Sequence, residues 1–428
     1  MKRTLIISAP ASSRSGYGDH ARDIIRSIVS MDMFNVRILD QRWGSCPRTE
    51  LKTNPDIKKL VIPAGETINT KPDVWVQITV PNEFNPIGNY NIGITAGIET
   101  DRVPVEWIKG MNRMDMNIVP SHHSKVVFEQ SKYDEKNQQG TVINTFQLEK
   151  PIHVLFEGLD TNIFDKTEKD NLVEIESIDN IKESFCFLTV GHWLQGDLGQ
   201  DRKDLGGTLQ TFLHTFKNMQ TKPALILKTS SATFSVMDKY EILDKVQQMY
   251  NIIGGNDISR LPKIYLLHGD LTPKEMNSLY NHPKVKAMIS LTHGEGFGRP
   301  LLEFSVTGKP TVAPNWSGHV DFLNNYAFRV PGKLDKVHPS AFTQGIIEEG
   351  HQWFYSDYGY ASKLLKDIYK KYKQFLTTSR KQRKYVKDNF SMQAMTEEFH
   401  TIMKENIPEP VKLNLPKLKL PKLEKIND

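Results

Sequence analysis

Short apolar runs alternate along the chain with stretches whose apolar residues recur at helical spacing. Residues 5–9 form the first run, and apolar positions at i, i+3, i+4 and i+7 follow it between residues 21 and 29. Further apolar runs lie at residues 36–39, 74–78, 92–95, 116–119, 185–190, 224–227, 264–267 and 287–291. Strands that are separated by helical stretches imply parallel sheets with crossover connections. The pattern therefore predicts an α/β fold.

The most informative stretch runs from residue 288 to residue 321. An apolar strand ends in a loop that contains Gly294, Gly296 and Gly298, and Pro300 then opens a helical segment. Glycine allows a backbone to approach a ligand closely, and the free N–H groups at a helix start suit a phosphate. The stretch predicts a strand, a phosphate-binding loop and a helix.

Two carboxylates flank this loop, Glu295 and Glu303. An ionised carboxylate only accepts hydrogen bonds, so these two suit sugar hydroxyls rather than the phosphate itself. The string from Gly294 to Glu303 resembles the E-x7-E signature of the GT4 family of retaining glycosyltransferases. That resemblance implies the GT-B fold, in which two Rossmann-like domains with parallel sheets face a central cleft. It also implies that Glu295 contacts the transferred sugar and that Glu303 holds the ribose. A generic glycine-rich turn remains the alternative.

The loop after the first strand is a second candidate site. It carries Arg14, Gly16, Tyr17 and Gly18 ahead of a helical stretch. The GT4 family has a glycine-containing loop here that lines the cleft, so the resemblance places these residues near the ligands and Arg14 near a phosphate. A structural turn would show the same pattern.

Acidic residues follow the run at residues 92–95. Glu99 and Asp101 lie in a segment that resembles the family's acceptor side, and ligands of open α/β sheets bind beyond the carboxyl ends of strands. Glu99 is the candidate general base. A metal-binding acidic pair is the alternative interpretation of this E-x-D spacing.

Two further segments occur in family order. Asp115 to Ser121 resembles the family's D-x-V-x-x-P-S turn, and Ser121 is predicted to cap the next helix. Residues 157–164 resemble the N-G-V-D-x-x-x-F passage between the domains, with Glu157 where Asn is usual. The polar residues 165–184 are predicted to be a linker.

A basic pair opens the first helix of the second half. Gly191 and His192 end a strand, and Arg202 and Lys203 precede an apolar helical stretch. The family neutralises the donor diphosphate with an Arg and a Lys in this region, and His192 replaces the usual Arg. Because a guanidinium matches phosphate oxygens well, Arg202 and Lys203 are assigned to the diphosphate.

The composition limits which classes of protein this chain can belong to. The 428 residues predict two or three domains, and no apolar stretch approaches the length of a membrane span. The start of the chain is interpreted as a strand rather than a signal peptide. Two cysteines exclude a disulfide framework and indicate a reducing cytoplasm. The formal charge of +5 is modest for this length.

Charge is concentrated near the end of the chain. Residues 363–387 contain ten basic residues and one acid, so their net charge of +9 exceeds that of the whole chain. Such a helical face fits DNA or an anionic membrane surface, and a solvated face is the alternative. The tail beyond residue 406 repeats a Pro-Lys-Leu unit and is predicted to be extended.

The sequence therefore predicts four units and one reaction class. The units are an acceptor-side Rossmann-like domain at 1–165, a nucleotide-sugar-binding Rossmann-like domain at 166–388, a returning helix at 389–406 and a tail at 407–428. The predicted catalytic residues are Glu295, Arg202, Lys203 and Glu99. The predicted donor-binding residues are Gly16, Tyr17, Gly18, Gly191, Glu295, Gly296, Phe297, Gly298, Arg299 and Glu303. The predicted acceptor-side residues are Arg14, Glu99 and Asp101.

The resemblance implies transfer of a sugar from a UDP- or GDP-sugar co-substrate, with no obligatory cofactor and no metal. The acceptor stays open between a saccharide, a lipid, a protein and a modified DNA base. A cytoplasmic protein is expected, and association with a membrane or with DNA stays open. A sugar-nucleotide 2-epimerase and an inactive donor-binding subunit that acts through its basic region are the rival hypotheses.

Overall fold

The structure is a computed structural model that describes residues 2–231 and 234–409. Most of the tail predicted at 407–428 lies outside the described residues. The first half contains β1 (Arg3–Ala9), α1 (Gly16–Ser30), β2 (Phe34–Asp40), α2 (Pro55–Lys58), β3 (Val74–Ile78), β4 (Tyr90–Ile94), α3 (Val105–Arg113), β5 (Met116–Val119), α4 (His122–Gln130), β6 (Tyr133–Lys136), β7 (Val142–Phe146) and β8 (Ile152–Val154).

The second half begins with a short helix and ends with three longer ones. It contains α5 (Glu176–Asp179), β9 (Cys186–His192), α6 (Leu205–Phe216), β10 (Ala224–Ser230), α7 (Val236–Gly254), β11 (Ile264–Leu267), α8 (Pro273–Asn281), β12 (Val285–Ile289), α9 (Arg299–Ser305), β13 (Thr311–Pro314), β14 (Phe328–Val330), β15 (Gly332–Lys336), β16 (Gln352–Ser356), α10 (Tyr358–Lys370), α11 (Tyr372–Asn389) and α12 (Met392–Asn406).

Two parallel sheets form the framework, as the apolar pattern predicts. The first has the strand order β2-β1-β3-β4-β5-β8, and the second has the order β11-β10-β9-β12-β13-β14. Both faces of each sheet are covered by buried apolar side chains, which explains why the strands are apolar rather than alternating. The prediction of an α/β fold with parallel sheets is confirmed.

The carboxyl ends of the inner strands position the candidate residues. Helices α1, α6 and α9 each begin after a loop that follows β1, β9 and β12, respectively. The loop after β4 carries Glu99 and Asp101. Since loops at the carboxyl ends of parallel strands lie at one edge of a sheet, each half presents its candidate residues at such an edge.

The chain passes between the halves twice, at neighbouring points. The amide of Leu159 donates to the carbonyl of Phe390, and the amide of Met392 donates to the carbonyl of Leu159. Helix α12 then packs on α1, where Met395 and Phe399 join the core of the first sheet. The exact unit boundaries remain a prediction.

The segment predicted to be a linker is packed. Its backbone amides at Thr167 and Val173 donate to side chains of Asn281 and Ser278 on α8. Residues 165–184 therefore belong to the second half rather than to a free tether.

A bridging hairpin joins the two halves beside the sheets. It consists of the antiparallel strands β15 and β16 with residues 337–351 between them. The amide of Asp101 donates to the carbonyl of Gln352, and the amide of Gln352 donates to the Asp101 carboxylate at 2.7 Å. The Trp107 indole donates to the carbonyl of Gly345 at 2.9 Å. The hairpin thus ties the second half to the loop that carries Glu99.

Residues 2–231 and 234–409 include no helix that combines the length and the apolar character needed to cross a membrane.

Candidate functional site

Four charged side chains from both halves converge at the candidate site. The Arg202 guanidinium lies 2.9 Å from Glu99 and 3.7 Å from Glu295, and the Lys203 ammonium lies 2.5 Å from Glu295. Glu99 follows β4 in the first half, whereas the other three residues belong to the second half. All four residues predicted to be catalytic are therefore neighbours, although they come from three distant parts of the sequence.

Local backbone geometry holds the basic pair in place. The carbonyl of Arg202 accepts from the His293 amide at 2.9 Å and from the Thr292 hydroxyl at 3.1 Å. Asp204 adopts a left-handed conformation, with φ of 46°, and caps α6 by accepting from the Gly207 amide. These bonds fasten the start of α6 to the loop after β12, so the two basic side chains point at Glu295.

The loop glycines allow the two halves to approach each other. A Cβ at Gly294 would lie 2.1 Å from the carbonyl oxygen of Glu99, and one at Gly296 would lie 2.0 Å from that of Ala96. The sequence predicted that these glycines admit a ligand; at Gly294 and Gly296 the close neighbour is instead the backbone of the other half. Gly298 differs, because its φ of 102° is a conformation that favours glycine.

The charges in the site support one another. Burial opposes ionisation of Glu295, but Lys203 and Arg202 outweigh it and lower the pKa of the carboxyl. Burial lowers the pKa of Lys203 although Glu295 opposes that shift. For Arg202, burial is outweighed by Glu99 and Glu295, which raise its pKa. The site therefore combines two carboxylates with two basic side chains, and the basic pair can receive a diphosphate.

The second carboxylate of the predicted motif lies in a separate cluster around Arg299. The Arg299 guanidinium lies 2.8 Å from Asp23, 3.4 Å from Glu157 and 3.9 Å from Glu303. The Tyr280 hydroxyl donates to Glu303 at 3.0 Å. Burial raises the pKa of Glu157 to about 7 and that of Glu303 to about 7, against the charge of Arg299. Glu303 therefore changes its protonation near neutral pH.

The candidate residues in the loop after β1 make separate contacts. Arg14 pairs with Glu50 at 2.9 Å in its own half and with Asp270 at 2.5 Å in the other half. The Tyr17 hydroxyl contacts the Thr95 hydroxyl at 2.9 Å, and its ring stacks on Trp43. Arg14 thus acts as an ion-pair bridge between the halves in this structure.

The remaining predicted residues also have defined places. Gly16 is exposed and has open space around it, whereas a Cβ at Gly18 would lie 2.1 Å from the carbonyl oxygen of Ser13. A Cβ at Gly191 would lie 3.3 Å from the aliphatic chain of Lys203. The Phe297 ring is buried against Phe322 in the core of the second half, so only its backbone borders the site.

Two contributors to the site were missed in the sequence. The Ser317 hydroxyl accepts from the Glu295 amide at 2.9 Å, and Ser317 adopts a φ of 74° that side chains rarely take. Asp23 lies on α1 and pairs with Arg299 across the halves. Ser317 lies within the stretch singled out at 288–321, and its position before Gly318 was the available signal. No local signal identifies Asp23, because its partner is distant in sequence.

The acidic residues in the described part of the chain are not grouped as metal ligands. Within residues 2–231 and 234–409, no three His, Cys, Asp or Glu side chains are grouped so that they could hold a metal ion. Glu99 and Asp101, the acidic pair considered above, instead contact Arg202 and the backbone of Gln352.

Comparison of the sequence with protein-family models and with curated proteins finds no match. Solved structures do match over almost the whole chain. A glycosyltransferase from Rickettsia africae has a TM-score of 0.62 at 15% identity, with 96% of this chain and 100% of that chain covered. Sucrose-phosphate synthase from Thermosynechococcus elongatus has a TM-score of 0.61 at 12% identity, with 94% and 99% covered.

Anabaena HepE (Alr3699) in complex with UDP and glucose is a third similar structure. Its TM-score is 0.60 at 10% identity, and the match covers 94% of this chain and 100% of that chain. At these identities the likeness establishes the fold alone. The predicted GT-B architecture is confirmed.

Proposed function

We propose that this protein transfers a sugar from a UDP- or GDP-sugar to an acceptor hydroxyl, with retention of anomeric configuration, as a GT4-type enzyme with an E-x7-E motif. The observation that carries the proposal is the convergence of Arg202 and Lys203 on Glu295 at the facing edges of two parallel sheets. A half-buried basic pair beside an acceptor-only carboxylate matches the diphosphate and the hydroxyls of one ligand.

The donor would bind mainly to the second half. Arg202 and Lys203 would hold the diphosphate, Glu295 would accept from hydroxyls of the sugar, and Glu303 would accept from those of the ribose. Helix α9 has only seven residues, so the two cations, rather than its dipole, carry most of the phosphate binding. HepE, a structural neighbour, is described in complex with UDP-glucose, which supports a nucleotide sugar as the donor class.

Transfer breaks the bond between the anomeric carbon and the diphosphate oxygen, and forms a bond from that carbon to the acceptor oxygen. Arg202 and Lys203 stabilise the negative charge that develops on the leaving diphosphate, in a position where they are already oriented. The proton of the acceptor hydroxyl passes to the leaving phosphate oxygen or to Glu99. Glu99 lies within 2.9 Å of Arg202, which supports a place for Glu99 beside the diphosphate that Arg202 would bind.

The cysteines support the proposed cytoplasmic location, since Cys46 and Cys186 are both free thiols. The acceptor-side role of Asp101 and Arg14 stays part of the proposal, and both residues are held in contacts between the halves.

Incubation with labelled UDP- and GDP-sugars, with and without a panel of acceptors, tests the proposal. We expect acceptor-dependent release of nucleoside diphosphate and a labelled glycoside. Consumption of the donor without an acceptor would favour the 2-epimerase, and nucleotide binding without turnover would favour an inactive subunit.

The variant Glu295→Ala tests the site. We expect it to abolish transfer, whereas Glu241→Gln, on the exposed face of α7, preserves it. Transfer that survives Glu295→Ala in a folded protein would contradict the assignment.

A further inference from the structure

Two basic stripes lie on the C-terminal helices of the second half. The α10 stripe consists of Lys363, Lys366 and Lys370. The α11 stripe consists of Lys373, Arg380, Lys381 and Lys384. At roughly 100° per residue, each stripe occupies no more than about 100° of its helix. All seven side chains are exposed.

The opposite face of each helix is buried. Ala361, Leu365 and Ile368 of α10 join one core of the second half, and Val386 of α11 joins the other. Both stripes therefore point away from the domain core, and the two helices follow one another directly along the chain.

The stripes lack neutralising partners. Of the ten basic residues at 363–387, Arg383 and Lys387 pair with Asp165, and Lys371 pairs with Asp367. None of the seven stripe residues forms an ion pair with a carboxylate in the described part of the chain. Their charge is thus directed at solvent and at any polyanion that approaches.

The aromatic residues between these lysines face inward. Tyr369 and Tyr372 pack against Phe185, and Phe375 packs against Phe328. Among the described residues, no large hydrophobic side chain of α11 is exposed. Interfacial membrane helices use exposed apolar groups, and single-stranded nucleic acids stack on exposed aromatic rings. On α11 neither kind of group is offered; on α10 the rings of Tyr358 and Tyr360 are exposed at the start of the helix, ahead of Lys363.

We propose that the two stripes, Lys363 to Lys370 and Lys373 to Lys384, form a docking surface for the phosphate backbone of double-stranded DNA. Exposed positive charge that is not neutralised by carboxylates is what sequence-independent binding to a duplex uses. Six of the seven residues are lysines, which act as point charges rather than as base-reading forks. The surface is distinct from the candidate site, so the proposal stands independently of sugar transfer.

The test measures anisotropy of a labelled duplex of about 30 base pairs with the full chain, between about 50 and 200 mM salt. If all seven cations contact phosphates, the slope of log K against log salt is about −6. The variant carrying Lys373→Gln, Lys381→Gln and Lys384→Gln should lose about 3 units of that slope and at least about tenfold in affinity. The corresponding α10 variant, with Lys363→Gln, Lys366→Gln and Lys370→Gln, should behave likewise.

A matched control removes three lysines elsewhere, so its net charge equals that of each stripe variant. Lys52→Gln, Lys58→Gln and Lys59→Gln remove three exposed charges from the first half, and binding should be unchanged. Equal loss in this control, or no binding by the unmodified chain at low salt, overturns the proposal. So does co-sedimentation with phosphatidylserine vesicles that the stripe variants abolish while duplex binding is unaffected. Unchanged thermal unfolding and UDP binding show that the stripe variants are folded.

Discussion

Glu99→Gln is expected to tighten binding of a nucleoside diphosphate while it slows transfer. In the structure Glu99 holds the Arg202 guanidinium at 2.9 Å, and both side chains are largely shielded from solvent. A diphosphate that binds Arg202 must compete with this carboxylate. The substitution removes the competing charge and keeps the shape of the side chain.

The magnitude follows from the type of contact that is lost. A hydrogen bond to a charged group contributes about 1.5–3 kcal/mol, and the neutral amide still offers a bond of about 1 kcal/mol. The difference of about 0.5–2 kcal/mol corresponds to a roughly 2- to 30-fold lower Kd for UDP. If Glu99 receives the acceptor proton, kcat should fall by about 10²-fold or more.

Isothermal titration with UDP measures the first effect, and initial rates of transfer measure the second. Glu106→Gln is the matched control, because Glu106 is exposed on α3 and pairs only with Lys109. Weaker or unchanged UDP binding in Glu99→Gln would show that Arg202 does not receive the diphosphate, and would refute the reasoning.

Three further outcomes are expected. Gly294→Ala should destabilise the protein by about 1–3 kcal/mol, because its Cβ would lie 2.1 Å from a carbonyl oxygen of the other half, whereas Gly16→Ala, in open space, should leave thermal unfolding nearly unchanged. The donor KM should rise as pH falls below about 7, since the pKa of Glu303 is about 7 and its ionised form is the better acceptor; Glu303→Gln should flatten that profile. Trp107→Phe should lower the free energy of unfolding in urea by about 1 kcal/mol, through loss of its bond to the hairpin; an unchanged value would contradict this role.

The sequence was sufficient for features that depend on neighbouring residues. The strand and helix at β12 and α9 lie where the apolar run and Pro300 place them, and Ser121 caps α4 as predicted, accepting from the Ser124 amide. Both are set by local patterns: the spacing of apolar residues and the chemistry of a helix start.

Such local patterns do not predict contacts between residues that are distant in sequence. Nothing near Gly294 indicates that it faces the backbone of Glu99, and nothing near Arg299 indicates Asp23. The bridging hairpin was also not predicted. Its strand β16 is held by contacts with distant residues, since the carbonyl of Phe354 bonds to His293 and the carbonyl of Gln352 accepts from Asp101. Helix α7 was missed although Ile242, Val246 and Ile253 show helical spacing.

The return of α12 to the first sheet has a consequence for the order in which the protein is made. Met395, Phe399 and Met403 complete a core whose other members are synthesised some hundreds of residues earlier. During translation the apolar face of α1 that α12 covers therefore stays exposed until α12 has been synthesised. A ribosome that stalls before residue 392 therefore leaves a product whose first sheet lacks the side chains that α12 adds to its core.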